Sequence, residues 1–167
     1  MTLTRPRRSR PRDLGPPGIE SDEKATLVAF LDYLRDAVAQ KATGVGEPEV
    51  RTPGVPSGTS LLGLVKHLGH VERFYFLGEP MRDVRRTLRP TVRETLEGLL
   101  ADYADAVARS NEVVAACDDL TTRLPRPDGR ADGPTLRWVL VHMIEETARH
   151  AGHADILREQ IDGARGR

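Results

Sequence analysis

The 167-residue sequence holds a single cysteine, Cys117, which excludes an internal disulfide and fits a reducing compartment such as the cytoplasm. No apolar run approaches the roughly 20 residues that a membrane-crossing helix needs. The N-terminus has no apolar stretch of the signal-peptide kind either, which argues against that route of secretion. An excess of charge is also missing, since 25 basic residues offset 25 acidic ones. That balance removes any whole-chain argument for nucleic acid or an acidic membrane as partner. Strand alternation and internal repeats are absent from the pattern, as are base-reading and phosphate-cradling motifs. Lysine is scarce beside arginine, and Ala, Gly and Pro abound, a bias that GC-rich bacterial genomes produce.

What remains is helical periodicity in a chain of one-domain length. Residues 1–20 combine arginine with proline and read as a disordered or loosely docked basic arm. A solvated leader or a misassigned start is the plain reading of that arm, and a tail touching an anionic surface the functional one. Ser21 is a candidate cap for a first helix running to about Thr43, with Gly44 as its stop and Leu27, Leu31, Leu34 and Val38 on one face. The Gly- and Pro-rich segment after it reads as a long connection over the surface. A second helix is expected from Thr59 or Ser60 to Leu77, ended by Gly78 and Pro80, with Leu61, Leu64, Leu68, Val71 and Tyr75 as its core stripe. His67 falls at the inner edge of that stripe and His70 on the solvent side.

Thr91 and Glu94 have capping-box spacing and announce a third helix through Leu96, Leu99, Tyr103, Ala106, Val113 and Cys117. Cys117 then reads as a small apolar residue, with redox or nucleophilic work the weaker alternative. A polar loop from Asp118 to Gly133 leads to Pro134 at the first turn of a fourth helix, Thr135 to Ile161, and residues 164–167 form a tail. Four amphipathic helices with long first and third connections predict an all-α four-helix bundle over residues 21–163.

The fourth helix carries the chemistry. At about 100° per residue, Val139, His142, Glu146, His150, His153 and Leu157 project in nearly one direction, which should be a core stripe. Its middle holds three imidazoles and a carboxylate, groups that are costly to bury without a metal, an ion pair or water. Glu146 and His150, spaced i,i+4, reach one point above the helix. With His67 from the second helix they would supply the three nitrogen and oxygen ligands of a catalytic zinc site with one open position. An ion pair of Glu146 with Arg149 is the plainer alternative. His142 and His153 are candidates to orient a ligand from the second shell.

The segments SLLGLVKHLGHVERFYF (60–76) and TLRWVLVHMIEETARHAGHADILREQIDG (135–163) resemble the signature helices of the DinB/YfiT-like superfamily of metalloenzymes. The resemblance implies a four-helix bundle and a three-ligand metal site, with His67 and His150 at histidine positions and Glu146 where many members have histidine. A His, Glu, His set is similar to that of the mycothiol-dependent maleylpyruvate isomerase branch. The resemblance implies a divalent metal, zinc first, with nickel, iron or manganese as alternatives. It also implies mycothiol as co-substrate and an actinobacterial source. A thiolate favoured by the metal would then attack a small-molecule electrophile, as in an S-transferase or thiol-assisted isomerase. The alternatives are a metal-dependent hydrolase on the same ligands, and a non-catalytic stress-linked binding bundle. No nucleic-acid or membrane partner is expected, and a homodimer stays open.

Overall fold

The computed structural model describes residues 15–18, 22–130 and 132–165. The expected basic arm therefore lies outside the described residues except for 15–18, and so does the expected Ser21 cap. The described residues form five helices: α1 (Glu23–Ala42), α2 (Leu61–Leu77), α3 (Val84–Thr87), α4 (Leu96–Ala116) and α5 (Leu136–Asp162). They contain no strand, only an isolated antiparallel bridge between Arg123 and Thr135. The architecture is the all-α bundle expected, four long helices with one extra turn, α3. Among the described residues no helix is long and apolar enough to cross a membrane.

Side-chain caps set where the long helices begin. Asp22 accepts from the Ala25 amide at 2.8 Å, Ser60 from Gly63 at 3.1 Å, Thr95 from Gly98 at 3.1 Å and Thr135 from Trp138 at 3.3 Å. Each satisfies one backbone N–H that the first turn leaves without a partner. The third long helix therefore starts at Leu96, not at the Thr91–Glu94 box. Glu94 does accept from the Thr91 amide, but the bond closes a turn ahead of the helix. Pro134 likewise precedes the Thr135 cap instead of sitting inside the first turn.

The helices pack as two close pairs, α1 on α5 and α2 on α4, with α2 also meeting α5. Two apolar clusters fill the interior. One gathers the C-terminal half of α1, the N-terminal halves of α2 and α4 and the end of α5, around Val38, Leu62, Leu68 and Leu157. The other gathers the opposite ends, around Leu31, Phe76, Leu140 and Met143. Phe76 is the buried aromatic of α2, while Tyr75, expected in the core stripe, is only half-buried. The first connection is no mere surface loop: Val45 and Val50 are buried in the first cluster, and the Val50 carbonyl accepts from the Leu62 amide at 2.9 Å. Cys117 is buried in the second cluster, as a small apolar residue would be.

Between the clusters lies a polar waist. Arg35 of α1 is buried and grips Glu72 of α2 with two bonds, Nε to Oε1 at 2.8 Å and Nη2 to Oε2 at 2.6 Å. Its Nη1 donates to Asp32 at 2.7 Å and to Asn111 of α4 at 2.8 Å, so three helices meet on one guanidinium. Burial pushes the Arg35 pKa down, but the Glu72 and Asp32 carboxylates together more than offset that and hold the guanidinium charged. Removing one member of such a pair strands a buried charge, which is worse than replacing both. Glu72→Ala should therefore lower stability by about 3–5 kcal/mol in chemical denaturation. Arg35→Met combined with Glu72→Leu should recover most of that loss; a double variant as weak as the single one would show that the pair does not act as a unit.

Candidate metal centre

The site forms where α2 crosses α5, and three features of the sequence bring it there. Gly63 lies one turn before His67 on α2, and a Cβ at Gly63 would stand 2.3 Å from the Leu88 carbonyl oxygen. Only glycine admits that approach, so the chain just after α3 lies directly on α2. As a result Thr87, the last residue of α3, is buried with its Oγ1 2.7 Å from His67 Nδ1. On α5, Glu146 and His150 occupy successive turns facing His67.

His67, Glu146 and His150 each offer one ligand atom, and these atoms all lie within 4.8 Å of one another. Glu146 Oε1 is 3.3 Å from His67 Nε2 and 3.1 Å from His150 Nε2. The two imidazole rings stand edge to face with centroids 4.9 Å apart. The Glu146–Arg149 ion pair, the plainer alternative, is long at 3.7 Å, and Arg149 turns to its neighbour Glu145 instead.

The hydrogen-bond network assigns the proton positions. The Thr87 hydroxyl donates to the Val84 carbonyl at 2.6 Å, so toward His67 it can only accept. His67 therefore carries its proton on Nδ1 and presents a bare lone pair at Nε2. Burial lowers the His67 pKa, with only partial opposition from Glu146, and so disfavours a second proton. His150 also has its Nε2 on Glu146 while its Nδ1 lies 3.4 Å from His153 Nδ1, and burial lowers its pKa too. Burial alone would raise the Glu146 pKa, but the His150 and His67 side chains beside its carboxylate leave it below its ordinary value. Two ring nitrogens, that of His67 with a bare lone pair, and a carboxylate oxygen thus converge on one point. A cation at that point would relieve the mutual repulsion, and two nitrogens with one oxygen suit a borderline divalent metal.

The remaining histidines separate. His153 is exposed and reaches the cluster only through His150. His142 is stacked on Trp138 with centroids 5.0 Å apart and meets Tyr75 at 4.6 Å, while its Nδ1 is 3.7 Å from Glu145. Its role is thus with the aromatic residues beside the site, not against a cluster atom as the sequence pattern suggested. His70 is exposed, on the solvent side of α2. The expected core stripe of α5 also shifts, because its buried residues Leu136, Val139, Leu140, Met143, Thr147, Ala151, Ala154 and Leu157 centre about 60° away from Val139. The polar residues form the edge of that face. His150 lies nearest its centre and His142 farthest, with side chains 11% and 27% exposed.

Sequence reasoning missed Thr87, because a four-residue helix leaves no periodicity to read. Gly63, at i−4 from the histidine, was the available signal for a close crossing. In the metal-free protein at neutral pH, long-range nitrogen–proton NMR should show His67 as the Nδ1–H tautomer. Thr87→Val should abolish that preference, whereas an Nε2–H tautomer in the parent protein would remove the argument for converging lone pairs.

The family model described as mycothiol-S-transferase matches residues 26–163. No curated protein matches the chain. Among solved structures, a conserved protein from Enterococcus faecalis is similar in fold, with a TM-score of 0.62 and 15% identity over 84% of this chain and 98% of that one.

Proposed function

The chain belongs to the mycothiol-S-transferase family, a DinB/YfiT-like family, and on that premise we propose that it transfers a low-molecular-weight thiol of the mycothiol type to a small electrophile. The observation that carries this reading is the convergence of His67 Nε2, Glu146 Oε1 and His150 Nε2 within 4.8 Å, with the His67 proton directed away from the centre toward Thr87. We assign these three side chains as the ligands of a divalent metal, zinc first by donor type. They are one short of tetrahedral, which leaves a position for a substrate sulfur. A divalent cation held there favours the thiolate form of a thiol that coordinates it.

The chain's own residues prepare that position. Thr87 holds the His67 ring in orientation and tautomer, and the His153 ring packs edge-on against that of His150. Glu146 contributes the single negative charge of the ligand set, so the loaded site keeps a net positive charge of about +1 before substrate enters. In the transfer the thiol sulfur forms a bond to the electrophilic carbon. The thiol proton leaves with the displaced group, or ends on the neighbouring atom when the electrophile is an acceptor of addition. We place this chemistry in the cytoplasm, where a reduced thiol pool is available.

Elemental analysis of purified variants tests the ligand set. His67→Ala and His150→Ala should lose bound metal, His70→Ala should retain it, and Glu146→Gln should lower affinity by more than roughly tenfold. Glu146→His should be milder, since it restores a nitrogen ligand. Because both ligand histidines have pKa values below the ordinary 6.5, affinity should be flat above that pH. It should fall only below it, where protons compete for the nitrogens. Equal metal content in all these variants would remove the site.

Reaction and fold are read separately. The loaded protein should consume mycothiol with an alkylating electrophile, and no consumption would refute the transferase reading. Stripping the metal should leave the far-ultraviolet helical signal nearly intact, since two apolar clusters hold the bundle without it.

A further inference from the structure

Two cavities flank the cluster along a single face of α5. The larger, about 550 Å³, begins at Trp138, two turns before Glu146. The smaller, about 270 Å³, begins at His153, whose ring centroid is 5.4 Å from that of His150. Trp138, His142, Glu146, His150, His153 and Leu157 thus run in one line from the first cavity through the cluster into the second.

We propose that the larger cavity holds the polyhydroxylated sugar portion of the thiol and the smaller one an apolar electrophile. The sulfur and the electrophilic carbon then meet at the cluster between them. This inference rests on the thiol-transfer reading above and adds where each substrate lies.

Size and chemistry both support the assignment. Mycothiol is a cysteine carried on an amino-sugar–inositol pseudodisaccharide, a bulky molecule that needs the larger space. The chain has only one Trp, three Tyr and three Phe. Of these, Phe74, Tyr75 and Trp138 wall this cavity, and Trp138 is 50% exposed. The negative face of an aromatic ring suits the weakly positive C–H face of a sugar ring. Arg126, Asp132 and Thr135 on the same walls can donate to or accept from hydroxyl groups, though Arg126 and Asp132 also pair with Asp128 and Arg130. The smaller cavity has Val55, Ile156 and Leu157 as walls, with only the Ser57 and Thr59 hydroxyls and His153 as polar groups. An apolar electrophile gains burial there and would leave few groups unpaired.

The reach is right as well. Tyr75, a wall of the larger cavity, is in ring contact with His142, and His142 is one turn, about 6 Å, from Glu146. A cysteinyl arm, one residue of about 3.5 Å plus its side chain, extends from a sugar docked against Tyr75 along His142 toward the cluster. Glu146 also contributes to raising the Tyr75 pKa, after burial, so the cavity wall senses the cluster's charge.

Trp138 is the chain's single tryptophan and so reports on the larger cavity directly. Titrating the zinc-loaded protein with the sulfur-free pseudodisaccharide should change its emission saturably, and mycothiol should compete. Trp138→Ala should raise KM for mycothiol at least tenfold while leaving KM for the electrophile within twofold. Ile156→Phe, which fills the smaller cavity, should do the converse, and circular dichroism should show both variants folded. No emission change, or the two KM effects exchanged between the variants, would overturn the assignment whether or not transfer occurs. A saturable emission change in a protein that consumes no mycothiol would instead refute the reaction and uphold the cavity's specificity for the sugar.

Discussion

The constraint on which this molecule depends is a polar layer that cannot be left unpaired. Two apolar clusters occupy the ends of the bundle, and every long helix carries a polar or ionisable group through the middle. On one side Arg35 is answered by Glu72, Asp32 and Asn111. On the other, His67, Glu146 and His150 answer one another only in part, because the His67 proton that would bridge to Glu146 is held by Thr87. Desolvated groups without partners are costly, so the first side locks the helices together and the second is a group that could hold a cation.

The two sides are not independent. Glu72 and His67 are both on α2, and the Arg35 grip fixes how α2 sits against α1 and α4. α1 is in turn the close partner of α5. The position of His67 relative to Glu146 therefore depends on contacts on the far side of the same helix. Gly63 adds the local part by letting Leu88 approach and so carrying Thr87 to the His67 ring. One glycine thus sets a tautomer four residues away.

The site is also placed for access. Its ligand atoms are at the edge of the buried face of α5, with His67 nearly enclosed and the Glu146 side chain 16% exposed. A cluster at the centre of that face would be sealed by Met143 and Thr147, both fully buried. The rotation that the periodicity of α5 did not reveal is what leaves the cluster open at its edge.

Local patterns in the chain were enough to place the long helices and to single out His67, Glu146 and His150 as candidate ligands. The cap at Ser60, the stops at Gly44 and Gly78, and the 3.6-residue apolar spacing are local signals, read without knowing what lies across the bundle. The i,i+4 spacing of Glu146 and His150, and the inward angle of His67, are local in the same sense. Only the tertiary structure decided which groups answer one another over long separations. Thr87 reaches His67 across 20 residues, Arg35 reaches Glu72 across 37, and the aromatic wall joins Tyr75 to Trp138. The physical reason is that periodicity gives the direction in which a side chain points relative to its own helix. What it meets there depends on how the helices are rotated and spaced, and Gly63 and the Arg35 grip set those quantities here.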